Sequence, residues 1–483
     1  ALRLAESQGD SLDQQSEYAL RSGHAECCRR LGRVAAEAED LERMSFIAAA
    51  CDEPEMLVEV LVLRSALERY RGQLAQACNY AERALELARR AADPPLQADA
   101  LTALGRAHTA LSDYPRAIEL HTQALTLFYD LGDQAGEAVN QCALGDIARL
   151  NGRVAEAQYA IERALHLFRE VNDRAGEADA LNQLGYLSAD YGRARAYYEQ
   201  ALAIRRSVGE VASQPRSYNN LGLVYWGLGL YTKARECLEQ AVVLARETEG
   251  RFNLAYCLES LGRVYFELGE FEAAQRVLTE GRELAHTIGD RSAEAPYWLM
   301  LGRIALIDGY ADQALASIQV AADIQRELGI QAELATSLAW LGMAHLALGD
   351  WLLAHQATAE ATQIVQQVGI INSDYPTQDI WWLRYRVLMA APDHSGHTIQ
   401  GEPGEDAWHN LQCAHTEMQR AVASLSDEAL RRSYLGRVVI NRDILSEWMR
   451  WAAARNVLPL DSVVMPESVS YTHLRAHETK ANL

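Results

Sequence analysis

The chain has no apolar run long enough to cross a membrane. Its richest stretch, Ile380 to Ala391, is interrupted by Arg384 and Arg386, and a spanning helix needs about 20 residues without such charges. Cations are also in deficit: 45 Lys and Arg stand against 66 Asp and Glu, a formal charge of −21. That balance repels nucleic acid and anionic membrane and points to protein partners. No Cys-x-x-Cys pair occurs among the eight cysteines. Most lie in helical stretches where alanine would serve, as expected of reduced thiols in a cytoplasmic protein. Proline is scarce, and Ala, Leu, Glu and Arg are abundant, so the chain reads as all-α.

Catalytic signatures are missing as well. There is no Gly-x-x-x-x-Gly-Lys-Ser/Thr loop, no His-Glu-x-x-His, no Gly-x-Ser-x-Gly and no dinucleotide fingerprint. No catalytic residue, no cofactor and no enzyme activity is therefore expected of this chain. A start Met and a signal peptide are absent too, and Ala1-Leu2-Arg3-Leu4-Ala5-Glu6 reads as the tail of a helix already under way. Residues 1–10 are taken as the end of a truncated repeat, and the chain as a fragment. At the other end, Val469-Ser-Tyr-Thr-His-Leu-Arg-Ala-His-Glu-Thr479 resembles an in-frame translated sequencing adapter. Residues 469–483 are set aside as an artefact within a disordered 457–483.

What is present is a repeat. Leu-Gly pairs stand at 104/105, 144/145, 184/185, 221/222, 261/262, 301/302 and 341/342, a step of 40 broken once by 37. Ala77, Ala117, Ala157, Ala194, Ala234, Ala274, Ala314 and Ala354 keep the same step. So do Ala84, Ala124, Ala164, Ala201, Ala241, Gly281, Ala321 and Ala361. Each unit is thus a helix pair with three small-residue stations, where axes approach closely. Glycines at 32, 72, 152, 229, 269, 309 and 349 mark the turn inside each pair. Those at 132, 209, 289, 329 and 369 mark the end of each second helix, where a left-handed cap suits glycine.

Leu261-Gly262, Tyr265, Ala274 and Gly281 occupy the stations of the tetratricopeptide repeat, which this pattern resembles over residues 11–370. The 40-residue period is similar to the longer-helix variety of kinesin light chains, peptide-sensing bacterial regulators and large signalling ATPases. The resemblance implies an α-solenoid of about nine tetratricopeptide-type helix pairs in a right-handed superhelix, with a C-terminal capping helix and a small helical tail. Three residues are missing between Gly185 and Ala194, so the first helix there should lose almost a turn. The station after Leu341-Gly342 is Trp381-Trp382, which predicts that a helix within 371–390 caps the array. Residues 391–406 read as a linker, and 407–456 as a tail of two amphipathic helices, where Ser426 or Asp427 can cap the helix within Leu425 to Leu445. Leu425 to Leu445 is similar to a tail that follows such repeats in bacterial signalling ATPases.

In the tetratricopeptide family the first helices line the groove, and its stations fall two residues before and after each repeat Leu. Carried onto this chain they include Thr102, Arg106, Asn182, Tyr186, Asn219, Arg263 and Arg303. Asn219-Asn220 before Leu221 resembles the Asn-Asn-Leu of kinesin light chains, which implies that these amides hold a peptide backbone. Arg263 and Arg303 would meet acidic side chains, while Tyr186, Trp226 and Phe266 offer apolar anchors. The alternative is that the arginines pair with Glu259 and Glu267 and that the aromatics only pack. Asn182, Tyr186, Asn219, Asn220, Trp226, Arg263, Phe266 and Arg303 form the candidate peptide site.

His24, Cys27 and Cys28 have a metal-like spacing, but adjacent cysteines diverge by about 100° on a helix and no further ligand is visible, so no metal is assigned. The resulting expectation is a non-catalytic protein- or peptide-binding scaffold or sensor segment of a larger cytoplasmic signalling protein. Its groove would hold a protein or peptide and relay to an effector domain of the same parent, with a signal-transduction ATPase, a cyclase or a transcription regulator as implied company. A stand-alone adaptor is the alternative.

Overall fold

The computed structural model describes residues 13–51, 53–188, 190–368, 376–392, 402–425, 427–452 and 455. Among these residues the chain is helical and has no strand, and nine helix pairs follow one another. The first four are α1 Gln14–Leu31 with α2 Val34–Cys51, α3 Pro54–Arg71 with α4 Leu74–Ala91, α5 Pro94–Ala110 with α6 Tyr114–Leu131, and α7 Gln134–Leu150 with α8 Val154–Glu170. Next come α9 Arg174–Leu187 with α10 Tyr191–Ser207, and α11 Gln214–Gly227 with α12 Tyr231–Glu247. The last three are α13 Arg251–Glu267 with α14 Phe271–Ile288, α15 Arg291–Ile307 with α16 Ala311–Leu328, and α17 Gln331–Ala347 with α18 Trp351–Val368. No described helix is long and apolar enough to cross a membrane.

Local chemistry sets the helix ends. Asp93, Asp133, Asp173 and Asp290 precede first helices, and each carboxylate accepts from backbone N–H groups of the first turn. Every turn or cap glycine named above lies at positive φ, apart from Gly369, which is outside the described residues. Ala92, Ser112, Asn172 and Glu249 take the left-handed conformation at the same stations where glycine is absent. The deletion after Gly185 leaves α9 with 14 residues against 17 in α7.

The small-residue stations work by contact. A Cβ added at Gly342 would come 3.0 Å from the Ala354 carbonyl oxygen, and one at Gly145 3.3 Å from that of Ala157. In the second pair the glycine station is Ser65, which is buried and donates its hydroxyl to the Ala77 carbonyl at 2.8 Å. A hydrogen bond there replaces the close approach that glycine permits elsewhere. Gly281, standing where other repeats have alanine, makes room for Tyr297, whose hydroxyl donates to the Ala255 carbonyl.

The chain divides into two compact units, residues 1–226 with 231–330, and residues 227–230 with 331–483. In the first unit the turns of the opening pairs pack against a distant stretch. The Arg30 carbonyl accepts from Val211 N at 2.8 Å and Ala212 N at 3.0 Å, and Tyr70 Oη donates to the Thr248 carbonyl at 3.2 Å. A Cβ on Gly72 would lie 2.8 Å from Phe252 Cζ.

In the second unit, α19 Thr377–Met389 carries the two tryptophans, both buried, and packs against α17 and α18. Trp351 Nε1 donates to the Val387 carbonyl at 2.9 Å. The stretch read as a linker is partly helical: α20, Glu405–Ser424, starts within it and lies along α19. Its buried face of Trp408, Leu411, Ala414, Met418 and Val422 recurs at helical spacing and supplies the apolar area for that packing. The tail 407–456 holds three helices rather than two, because Val438 is extended and breaks α21 Glu428–Arg437 from α22 Val439–Ala452. Asp427 caps α21, while Ser426 lies outside the described residues. Residues 1–10, 457–483 and 393–401 also fall outside them.

Candidate functional site

The eight predicted groove residues sit on four successive first helices of the first unit. Their chemistry divides them. On α9 and α11, Tyr186 Oη donates to Asn220 Oδ1 at 2.8 Å, and Asn220 Nδ2 donates to Asn182 Oδ1 at 3.0 Å. Both asparagines are buried, so their amides serve to couple adjacent repeats. An equivalent link joins α5 to α7, where Asn140 Nδ2 donates to Thr102 Oγ1 at 3.0 Å.

Farther along, arginine and aromatic side chains alternate. The Arg263 guanidinium carbon lies 4.2 Å from the Trp226 ring centroid, and that of Arg303 lies 4.4 Å from Phe266. Each aromatic is five residues after its repeat Leu, and each arginine two after the next one. A swapped rung precedes them: Arg149 holds the aromatic's station and lies 5.0 Å over Tyr186, which holds the arginine's. Arg263 is buried and comes within 3.8 Å of Glu259, while Arg303 Nη2 is 3.8 Å from Glu267. Burial raises the Glu267 carboxyl above its ordinary range, against the pull of Arg303 and Arg263. Both arginines thus lie against an aromatic ring and a carboxylate of the solenoid itself.

Asn219 differs from its neighbour. It is buried, and its Oδ1 has no hydrogen-bond partner among the described residues. Seven residues along the same helix, the Trp226 indole N–H is likewise buried without a partner. An orphan acceptor and an orphan donor thus share one face of α11.

A tetratricopeptide repeat profile matches residues 57–130 and 213–285. Human G-protein-signaling modulator 1 is 26% identical over 155 residues, 27% of this chain and 23% of that protein. The matched segment therefore spans less than a quarter of that relative. A Rap protein complexed with Competence and Sporulation Factor superposes with a TM-score of 0.55 at 14% identity, covering 73% of this chain and 99% of that one. The apo form of RapI gives a TM-score of 0.47 at 17% identity, covering 56% and 97%. The fold is a tetratricopeptide-type α-solenoid.

Two cations of the solenoid escaped the sequence reading. Arg69, at the end of α3, is half-buried, and its guanidinium is held down to about 10 by burial and by repulsion from Arg106 and Arg216, with Asp179 opposing. Among the described residues none of these three guanidinium groups makes an ion pair or hydrogen bond. Arg69 was hidden because its repeat carries Arg64-Ser65 where others have Leu-Gly, which removes the landmark from which stations are counted. Arg216 lies five residues before Leu221, outside the stations two residues either side of the repeat Leu.

Two buried thiols and one buried histidine of the solenoid are shifted away from neutrality. Burial pushes the Cys237 thiol up to about 11 and that of Cys257 to about 12, so both stay protonated at neutral pH. His121 is pushed down to about 4 by burial and is neutral there.

Proposed function

We propose that this chain is a non-catalytic scaffold that binds a protein segment or extended peptide along α9 to α15. The observation that carries this reading is the orphan pair on α11. A buried amide oxygen and a buried indole N–H without partners each cost free energy, and a peptide backbone, which offers one N–H and one C=O per residue, meets both needs. Asn219 and Trp226 then contact the ligand. Asn182, Asn220, Arg263 and Arg303 hold the wall, with Tyr186 and Phe266 exposing ring surface beside it. Arg69, Arg106 and Arg216 supply the free positive charge for an acidic ligand group. The Rap protein whose fold is similar was solved in complex with a factor, which is in keeping with a solenoid that holds a partner.

At a finer level we read the chain as a sensor segment of a larger cytoplasmic signalling protein. The similarity of Leu425 to Leu445 to a signalling-ATPase tail supports this over a stand-alone adaptor. Reading the gene upstream of Ala1 separates the two: a phosphate-binding loop in frame supports the sensor, and a stop codon followed by a start Met supports the adaptor.

The binding test uses a peptide selected from a display library against the full chain. Asn219→Ala removes an acceptor that the free protein does not use, so its melting temperature should stay unchanged. Affinity for the selected peptide should fall at least roughly tenfold, the worth of one buried hydrogen bond. Equal binding by wild type and Asn219→Ala would remove the support for this groove.

A further inference from the structure

The first helix pair departs from the repeat in a chemically specific way. Counting back 80 residues from Leu104 and 40 from Ala77 puts His24 at the Leu station and Glu37 at an Ala station. At these two stations a polar cluster stands beside the apolar contact that Tyr18 and Ala25 of α1 make with Leu41 and Met44 of α2. His24 and Cys28 are one helical turn apart on α1, so their side chains share a face. Asp40, on α2, turns its carboxylate toward them.

The distances are short. His24 Nδ1 lies 2.5 Å from Asp40 Oδ2, and Cys28 Sγ lies 3.9 Å from His24 Nδ1 and 3.8 Å from its Nε2. One ligand atom from each residue can be chosen so that all three lie within 4.8 Å of one another. Cys28 and Asp40 are buried, whereas the His24 side chain is half exposed. The remaining carboxylate oxygen, Asp40 Oδ1, accepts from Arg21 Nη1 at 3.1 Å, and Arg21 Nε donates to Glu17 at 3.0 Å. That outer pair fixes the carboxylate plane while Oδ2 stays directed at the histidine.

We propose that His24, Cys28 and Asp40 form a binding site for a thiophilic divalent cation of the zinc class, with a fourth position open to water. In a tetrahedral zinc site the ligand atoms stand roughly 3.4 to 3.6 Å apart, as zinc–ligand bonds of about 2.0 to 2.3 Å require. The sulfur–nitrogen spacing is already near that value. The nitrogen–oxygen spacing must open by about an ångström, and the half-exposed His24 ring is the member free to move. On binding, the Cys28 thiol releases its proton to solvent, the proton between His24 Nδ1 and Asp40 passes through solvent to His24 Nε2 so that Nδ1 and the carboxylate can each bond the metal, and the ion keeps one water. A dication with one thiolate and one carboxylate is neutral overall, so a partly buried site does not strand charge. The ion would clamp α1 to α2 where the apolar stations have been lost.

The test uses the full chain freed of metal by chelation. Titrated with cobalt(II), it should show the thiolate-to-cobalt absorption band with one equivalent bound, and zinc should displace it. Zinc should also raise the melting temperature. Both responses should vanish in Cys28→Ser and persist in Cys27→Ser, whose sulfur is exposed and points away. His24→Ala, at a position the core does not need, should weaken zinc at least roughly tenfold in competition with a chromophoric chelator. A chain without the cobalt–thiolate band overturns the proposal, and so does a band retained at full strength in Cys28→Ser or His24→Ala.

Discussion

Arg263 lies over Trp226, with its guanidinium carbon 4.2 Å from the ring centroid and almost no surface left to solvent. A desolvated pair of this kind contributes about 2 kcal/mol, and the contact depends on the planar guanidinium. Trp226→Ala and Arg263→Ala should each lower the urea midpoint, and their double mutant should lose less than the sum. Arg263→Lys should recover little. Full additivity in the cycle would mean the two side chains pack independently.

The close-contact stations predict steric costs. A Cβ on Gly262 meets Leu278 Cγ at 2.5 Å, and one on Gly281 meets Tyr297 Cζ at 2.5 Å. Gly262→Leu, like Ala157→Leu, should destabilise by about 1 to 3 kcal/mol or more, with hydrogen exchange rising mainly in the adjoining repeats. Gly281→Ala should be as costly in wild type but nearly neutral beside Tyr297→Leu, which removes the obstructing ring. Calorimetry on the four proteins decides it.

His121 gives the fold a pH dependence. Its ring is fully buried beneath Gly105, Nδ1 meets Asn140 Oδ1 at 2.8 Å, and Nε2 has no hydrogen-bond partner among the described residues. Burial lowers it from 6.5 to about 4. The unfolded chain therefore takes up a proton that the folded chain refuses, and stability is lost as pH falls from about 6.5 toward 4. Between pH 7 and 5 the loss attributable to this group is roughly 2 kcal/mol. Glu37, raised by burial to about 7, works in the opposite direction, favouring the fold as pH falls from about 7 to 4.5. His121→Gln should flatten the acid limb of the melting temperature against pH. An unchanged limb would show that the ring is protonated in place.

Asp173 caps the shortened helix α9 by accepting from Gly176 N at 3.0 Å. Asp173→Ala should cost about 1 kcal/mol and Asp173→Asn much less, because the amide oxygen can still accept. Chemical denaturation of the two variants is sufficient to distinguish them.

Much of the architecture was legible from spacing. The turn glycines and the Leu-Gly contacts report on the geometry inside each helix pair, and the Trp381-Trp382 break on the loss of the close-contact station, so all of them recur or fail with the period. The site was legible only in part. Spacing placed Asn219 and Asn220 side by side, but it could not tell that Asn220 is tied to Asn182 and Tyr186 while the Asn219 oxygen lacks a hydrogen-bond partner among the described residues. Adjacent residues on a helix point about 100° apart, so one amide faces the neighbouring repeat and the other does not.

By itself the sequence determined the helical class, the 40-residue helix pair and the face that each helix buries, because these follow from local periodicity and residue size. Tertiary structure alone decided which distant groups meet. Tyr70 reaches Thr248 across 178 residues, and Asp40 completes a cluster with His24 and Cys28 that no spacing rule contains. The reason is that the placement of distant residues sums many small rotations between successive pairs. Each rotation depends on how particular side chains interlock, not on the period that orders them.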